Sequence, residues 1–433
     1  MITIDQLHSI FLRHPVICTD SRQIRKDSLF FALKGANFNG NLYAKDALEK
    51  GAAFAVVDDP EPGADQRLLW VEDVLTTLQD LARHHRKKLG LPVIAITGTN
   101  GKTTTKEVTA AVLATRYSVE FTRGNLNNHI GVPLTLLTMN QQTEIGIVEM
   151  GANHPGEIDF LCRIACPDYG LVTNMGKAHL EGFGGLEGVI RTKSELYRYL
   201  AENAGTVFIN GDNPLLTSSV GNQKELVVYG SDKNVRLKGE IKNDPPFCTL
   251  FISENEQQTL VKSRLIGNYN GENLLAAATI GRYFGVPMEL IASAIENYSP
   301  SNSRSQLLVR GTNKIILDAY NANPSSMALA LANFASFDSE NKMVILGDML
   351  ELGEDSPAEH QSIVDQLIAT AVPTVILVGN TFMQTQKPEH FLAFSNKEEL
   401  TSWLLVHPIV NQTLLIKGSH GIRLDLIVDA IKG

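Results

Sequence analysis

Four cysteines in 433 residues, Cys18, Cys162, Cys166 and Cys248, are too few and too scattered for a disulfide framework, and none forms a C-x-x-C pair. They are expected to be reduced and structural. No apolar run approaches the roughly 18 residues that a membrane-spanning helix needs, so no membrane insertion is expected. The opening stretch MITIDQLHSIFLRHP lacks the basic, apolar and small-residue succession of a secretory signal, which makes a cytoplasmic location the expectation. An excess of basic charge is also missing. Lys+Arg 38 stands against Asp+Glu 47, a net charge of −9, so no global field attracts nucleic acid. The densest basic run, RHHRKKLG at 83–90, reads as a solvated helix end stopped by Gly90. There is no low-complexity tract and no internal repeat.

What remains is an ordinary globular composition, 43% hydrophobic and 20% charged, in a chain long enough for two or three domains. Residues 1–88 mix short segments such as SLFFALKG and AAFAVVDD with a closing amphipathic run, DVLTTLQDLARHHRKKL, and read as a small N-terminal α/β unit. In residues 89–302, apolar runs (PVIAIT, IGIVEM, YGLVTN, TVFING, LVVYG) alternate with helix-period segments, the pattern of a central, mostly parallel sheet covered by helices. The alternation restarts over residues 303–433: KIILDAY, KMVILGD, TVILVG and TLLIKG as strands, with PSSMALALANFA, SPAEHQSIVDQLIATA, NKEELTSWLL and IRLDLIVDAI between and after them. That is a Rossmann-like C-terminal unit. No G-x-G-x-x-G follows its first strand, so a dinucleotide is not indicated. The fold class is therefore α/β in three domains.

The segment TGTNGKTTT at 97–105 sits between an apolar strand and a helix-period stretch, the setting of a phosphate loop. Gly98 and Gly101 let the backbone curl so that the N–H groups of Thr99, Asn100 and Thr104 point at phosphate oxygens, and the helix adds its positive end. Lys102 would neutralise β and γ phosphates and the Thr103 hydroxyl would sit on Mg²⁺. Ile96 occupies the first glycine position of the strict G-x-x-x-x-G-K-[ST] pattern, so the loop is a shortened variant. A Mg²⁺-ATP site needs further oxygen ligands, and Glu149, at the end of IGIVEM, supplies a carboxylate that would otherwise be costly to bury. His179 in GKAHLEGFG and Lys193 in RTKSELY follow the next strand; singly, each is more often structural.

Together, TGTNGKTTTKE, GNLNNHIGVPLTLL, VEMGANHPGEI, AHLEGFG, TKSELY, DAYNANPSSM, GDMLELGEDS and LIKGSHG resemble the Mur ligase family of cell-wall enzymes, and TDSR with FFALKGANFNG extends the likeness over nearly the whole chain. The resemblance implies an ATP-dependent amide ligase. It has a UDP-substrate domain, a central ATPase domain, and a Rossmann-like domain that brings the amine and part of the nucleotide site. It further implies two Mg²⁺ ions, one on Thr103 and Glu149, the other on His179 and a carbamylated Lys193, whose CO₂ adduct turns a cation into an anionic ligand. By the same likeness Asn273 meets adenine, Arg304 reaches the γ-phosphate and Asp318 meets ribose, while Tyr269 stands where the family usually has His. For the sugar nucleotide the candidates are Thr19, Asp20, Ser21, Arg22 and the loop Gly35 to Asn41. Asn125, Asn127, Asn128 and His129 are candidates for the muramoyl-peptide, although asparagines there would also make turns. DAYNANPSSM resembles the family version that takes D-Ala-D-Ala and UDP-MurNAc-tripeptide, and the D-N-P-[RA] signature of the diaminopimelate- or lysine-adding ligase is absent. Asn321, Asn323 and Ser325, with Lys417, are accordingly candidates near the dipeptide. Runner-up readings are a sister ligase, a folylpolyglutamate synthase, a kinase, or a non-catalytic nucleotide-binding protein. A monomer is expected.

Overall fold

Apolar β-branched runs bounded by turn residues form three large sheets, beside a two-stranded ribbon of Lys34–Gly35 and Phe38–Asn39, in the computed structural model, which describes residues 1–59, 65–177, 180–232, 234–242, 246–254, 257–300, 304–339, 341–370 and 372–431. The first sheet has four parallel strands in the order Ile17–Cys18, Leu29–Phe31, Phe54–Val57, Leu68–Trp70. Its closing helix, Val74–Leu89, starts where the Asp73 side chain accepts from Thr76 N and stops at Gly90, which takes the left-handed conformation at φ 65°. The apolar face of this helix (Val74, Leu78, Leu81, Ala82) shares one core with Leu29 and Val56 on one side and with Val93, Leu136 and Leu161 on the other. Burying each Leu-sized side chain there contributes about 1.5–3 kcal/mol.

This seam corrects the reading of the basic run. Gly90 does stop the helix, but His85 and Arg86 are buried: Arg86 donates to Ala165 O at 3.2 Å and to Asp168 Oδ2 at 2.7 Å, and His85 Nε2 pairs with Met139 O at 2.8 Å. Hydrophobic period alone does not reveal that the polar side of a helix is roofed by another unit.

The central sheet has nine strands. In spatial order they are Gln257–Ile266, Phe247–Glu254, Leu237–Lys242, Glu225–Gly230, Thr206–Asn210, Tyr169–Val172, Val93–Thr97, Ile145–Glu149 and Val119–Phe121. Pairing is parallel except at the first two junctions. Val93–Thr97, first of these strands in the chain, lies between Ile145–Glu149 and Tyr169–Val172. From it the chain winds first to one side and then to the other. The crevice at the carboxyl ends of strands around such a switch point is where open α/β sheets bind ligands. Helices Lys102–Leu113 and Gly271–Tyr283 cover one face, with Val108, Val112, Leu274 and Ile280 packed on Ile96 and Ile147.

The third sheet runs Gln306–Arg310, Asn313–Asp318, Thr413–Lys417, Lys342–Gly347, Thr374–Val378, Leu392–Phe394, parallel but for its first, antiparallel strand. The segment IRLDLIVDAI, read as a helix, is instead two 3-10 turns, His420–Ile422 and Leu424–Ala430, separated by Arg423 at φ 59°. Leu424, Ile427 and Val428 still reach the core, so its apolar period served packing. All four cysteines are free thiols. No helix among the described residues is long and apolar enough to cross a membrane.

Candidate active site

Strand Val93–Thr97 delivers the phosphate loop into the switch-point crevice. Gly98 is needed there at φ 144°, because a Cβ would lie 2.0 Å from Thr173 Oγ1. Gly101, at φ 78°, lets the backbone pass the Asn273 amide, whose Oδ1 would stand 2.4 Å from a Cβ. The loop is braced from the next strand: Asn100 N–H donates to Asn174 Oδ1 at 2.9 Å, and Thr173 Oγ1 donates to Asn100 O at 2.6 Å. Lys102 turns back on the loop, donating to Gly98 O at 2.7 Å and Thr99 O at 3.0 Å. Burial lowers its pKa to about 8; Glu149 pulls it up and Arg304 pushes it down.

Beside the loop, Glu149 Oε1 accepts from Asn127 Nδ2 at 2.9 Å, while Oε2 is buried with no hydrogen-bond partner among the described residues. Burial alone would raise this carboxyl; Lys106, Arg304, Lys102 and the Asn127 hydrogen bond outweigh it and hold it below its ordinary value. Asn128 Oδ1 accepts from Gly131 N at 2.9 Å and so starts the helix Gly131–Leu136, and Gln79 of the first unit donates to His129 O at 3.0 Å. Lys193, at the end of the helix Leu186–Lys193, is only 3% exposed. Burial first, then the Lys102 charge, lowers its pKa to about 7 against the pull of Glu157 and Glu195.

The third sheet closes the opposite wall. Arg304 Cζ lies 3.8 Å from the centroid of the Tyr320 ring, a cation–π stack. Asp318 and Lys417 are register partners at the carboxyl ends of adjacent strands, and Lys417 Nζ donates to Asp318 Oδ2 at 2.6 Å and Asn321 O at 3.1 Å. Asn323 caps the helix Pro324–Ala335, accepting from Ser326 N at 2.9 Å, and its Nδ2 donates across to Asn100 Oδ1 of the phosphate loop at 2.8 Å. Lys177 and Glu359 add a second bridge between the walls at 2.8 Å.

The walls enclose a cavity of about 930 Å³. Onto it converge Gly98, Thr99, Asn100, Gly101, Lys102 and Thr104 of the loop, and Glu149 and Lys193 beside them. The asparagine turn adds Asn125, Asn127, Asn128 and His129; Asn273, Arg304, Asp318, Asn321, Ser325 and Lys417 complete the set. Thr103 and Asn323 stand buried just behind the wall. Thr19, Asp20, Ser21, Arg22 and Asn41 do not line it. Arg22 grips the Asp20 carboxylate at 2.9 and 2.8 Å and holds that carboxyl near 2, and Asn41 Nδ2 donates to Asp58 Oδ1 at 2.8 Å. His179 lies outside the described residues. Among those residues no group of three His, Cys, Asp or Glu side chains is placed to hold a metal. The expected ligand set draws on a threonine, a modified lysine and His179, so it falls outside such a count.

Sequence reading passed over three groups that the fold brings in. Asn174 holds the loop, Tyr320 holds Arg304, and Lys106 faces Glu149. Tyr269, singled out for replacing the usual His, lies on the cavity wall with its O–H 3.1 Å from Ser305 Oγ. Lys106 carried a usable signal, since it is one helical turn beyond Lys102.

Three family models match the chain: the Mur ligase family catalytic domain over residues 15–86, the Mur ligase middle domain over 96–281, and the Mur ligase glutamate ligase domain over 303–420. Among curated proteins, the UDP-N-acetylmuramoyl-tripeptide–D-alanyl-D-alanine ligase of Bacillus subtilis is 34% identical, covering 95% of this chain and 92% of its own length. The enzyme of that name from Escherichia coli is 32% identical, with 96% and 93% covered. Among solved structures, MurF from Acinetobacter baumannii superposes with a TM-score of 0.86 at 28% identity, covering 96% of this chain and 92% of that one. MurF from Thermotoga maritima in complex with ADP gives 0.85 at 25%, with 97% of both chains covered. With the family models spanning all three sheets and relatives above 30% identity along nearly its full length, the chain belongs to the Mur ligase family.

Proposed function

We propose that this chain is an ATP-dependent ligase that joins D-alanyl-D-alanine to UDP-N-acetylmuramoyl-tripeptide, giving the UDP-MurNAc-pentapeptide precursor of peptidoglycan with ADP and phosphate. The observation that carries this reading is the single cavity in which a phosphate loop, Glu149 and Lys193 face Asp318, Asn321, Ser325 and Lys417 of the third sheet. The tripeptide carboxylate oxygen attacks the γ-phosphorus and ADP departs. The amine nitrogen then attacks the acyl phosphate carbon, phosphate departs with the C–O bond, and the amine loses a proton. Lys102 and Arg304 offset the repulsion between carboxylate and γ-phosphate. Asn273 and Asp318 hold adenosine, and Asn125, Asn127, Asn128 and His129 hold the muramoyl-peptide. Thr19 to Arg22 and Asn41 serve the uridine end, and Asn321 and Ser325 with Lys417 serve the dipeptide.

The residues fit magnesium. Glu149 Oε2 is buried without a hydrogen-bond partner among the described residues, which leaves its lone pairs for a cation shared with Thr103. They also fit the carbamate, because an amine lowered to about 7 is neutral in large part near neutral pH, the form that adds CO₂. Lys193 so modified, with His179, is the proposed pair for a second ion. The ions and the carbamate together supply charge neutralisation at the phosphates and an anionic donor at Lys193. The enzyme acts as a cytoplasmic monomer in this reading. Phosphate release measured over a substrate panel tests it: turnover is expected only with UDP-MurNAc-tripeptide, D-Ala-D-Ala and ATP together. Release driven by glutamate and folate would overturn it. Lys193→Ala is expected to be inactive and partly restored by short carboxylic acids; unchanged turnover would refute the carbamate.

A further inference from the structure

Lys106 is the one wholly buried lysine in the phosphate-loop helix, 0% exposed, and its Nζ has no hydrogen-bond partner among the described residues. It lies one helical turn beyond Lys102 and does not itself line the cavity. Around it stand Glu149 Oε2 at 3.5 Å, Glu107 Oε1 at 3.7 Å and the Phe121 ring at 5.8 Å. Glu149 Oε2 has no hydrogen-bond partner either, so two buried, oppositely charged atoms face each other at ion-pair distance without a hydrogen bond between them. A buried lysine so placed is costly unless its charge is used.

We infer that Lys106 is a positioning residue for Glu149: it fixes the carboxylate from behind by charge, while Asn127 fixes Oε1, so that Oε2 is presented to the divalent cation with its lone pairs unspent. The inference rests on the magnesium-nucleotide reading of this site. A hydrogen-bonding partner in the same place would hold the carboxylate equally well but consume a lone pair. Partners that orient a metal ligand from outside the coordination sphere commonly govern affinity by about tenfold to a hundredfold.

The test is calorimetric titration of the full chain with a non-hydrolysable ATP analogue, once with excess Mg²⁺ and once with chelator, alongside thermal unfolding. For Lys106→Met, affinity with Mg²⁺ is expected to fall about tenfold or more while affinity in chelator stays near wild type; the unfolding temperature falls in both conditions, because the Glu149 charge is left buried without its counter-charge. In the Glu149→Gln background the same substitution is expected to change nothing further, since its effect runs through that carboxylate. Should Lys106→Met yield too little folded protein, Lys106→Gln carries the same expectations. Unchanged Mg²⁺ dependence in the folded variant overturns the inference, as does tighter Mg²⁺-nucleotide binding, which would mean that Lys106 only repels the cation. A wild type whose nucleotide affinity ignores Mg²⁺ overturns the reading beneath it as well.

Discussion

Substituting Lys417 by methionine probes whether the third sheet holds its half of the site through one buried ion pair. The ammonium touches Asp318 Oδ2 at 2.6 Å and Asn321 O at 3.1 Å, and the two side chains are 2% and 17% exposed. At an effective dielectric of about 20 the gross attraction at that distance is ~6 kcal/mol, most of which is offset by desolvating both ions. Removing one partner of a buried pair costs roughly 3–5 kcal/mol, because the other charge is stranded. Asp318 opens on the cavity, where water can reach it, so the cost falls at or below the bottom of that range, about 2–3 kcal/mol.

In scanning calorimetry the transition that includes the third sheet should therefore fall by roughly 5–10 °C, at ~2–4 °C per kcal/mol for units of this size class. Lys417→Met combined with Asp318→Asn should recover much of that loss, since no charge is left stranded. The nucleotide KM of the single variant should rise several-fold, because Asp318 and the Asn321 carbonyl lose their common anchor. A single-variant shift below about 1 °C, or effects of the two substitutions that simply add, would refute the reasoning.

Asn323→Ala should cost about 1–2 kcal/mol of stability through the lost cap and the lost bond to Asn100, and should raise the KM for nucleotide and dipeptide together; a rise for the dipeptide alone would make Asn323 a substrate contact instead. Gly98→Ala should abolish nucleotide binding with circular dichroism intact, because its Cβ would sit 2.0 Å from Thr173 Oγ1; retained affinity in a titration would contradict that close approach. His8, His85 and His360 are held below the ordinary histidine pKa, each chiefly by burial, so the folded state binds fewer protons than the unfolded one. Stability should accordingly be flat above about pH 6.5 and decline as pH falls below it, and a denaturation midpoint constant from pH 7 to 5 would count against this.

Strand ends and loop glycines were legible in the sequence because their causes are local. VIAIT followed by Gly98 and Gly101 announces a strand, a tight turn and a helix start, and the structure puts Lys102, Glu149 and Lys193 around one cavity. What was not legible depends on long-range contact. Leu237–Lys242 and Gln257–Ile266 escaped notice because exposed residues interrupt their apolar runs, and Phe247–Glu254, none of whose residues is exposed, was missed with them. Lys106 shows in the sequence only as a lysine one helical turn beyond Lys102, and the neighbouring strand end makes it a buried counter-charge. Asn323 reads as a ligand candidate, yet cap chemistry at NPSS and the reach to Asn100 occupy its amide.

The site collects cations in a chain whose net charge is −9, and in the protein alone each is occupied internally. Lys102 bonds to its own loop carbonyls, Lys106 faces Glu149, Arg304 stacks on Tyr320, Lys417 pairs with Asp318, and Lys193 gives up part of its charge. The Lys102 charge is the second cause of the lowering at Lys193, so the two amines already repel one another across the cavity. In the proposed reaction a triphosphate arriving between them would reverse the sign of that interaction for Lys102, whereas Lys193 would escape it by becoming the proposed anionic carbamate. In the proposed reading the cavity therefore starts with its positive charge on internal contacts, of which those of Lys102 lie on the phosphate loop itself. There Lys102 would exchange two loop carbonyls for phosphate oxygens. Lys106 alone, sealed from the cavity behind Glu149, has nothing to exchange with, which is why its place is to hold and not to bind.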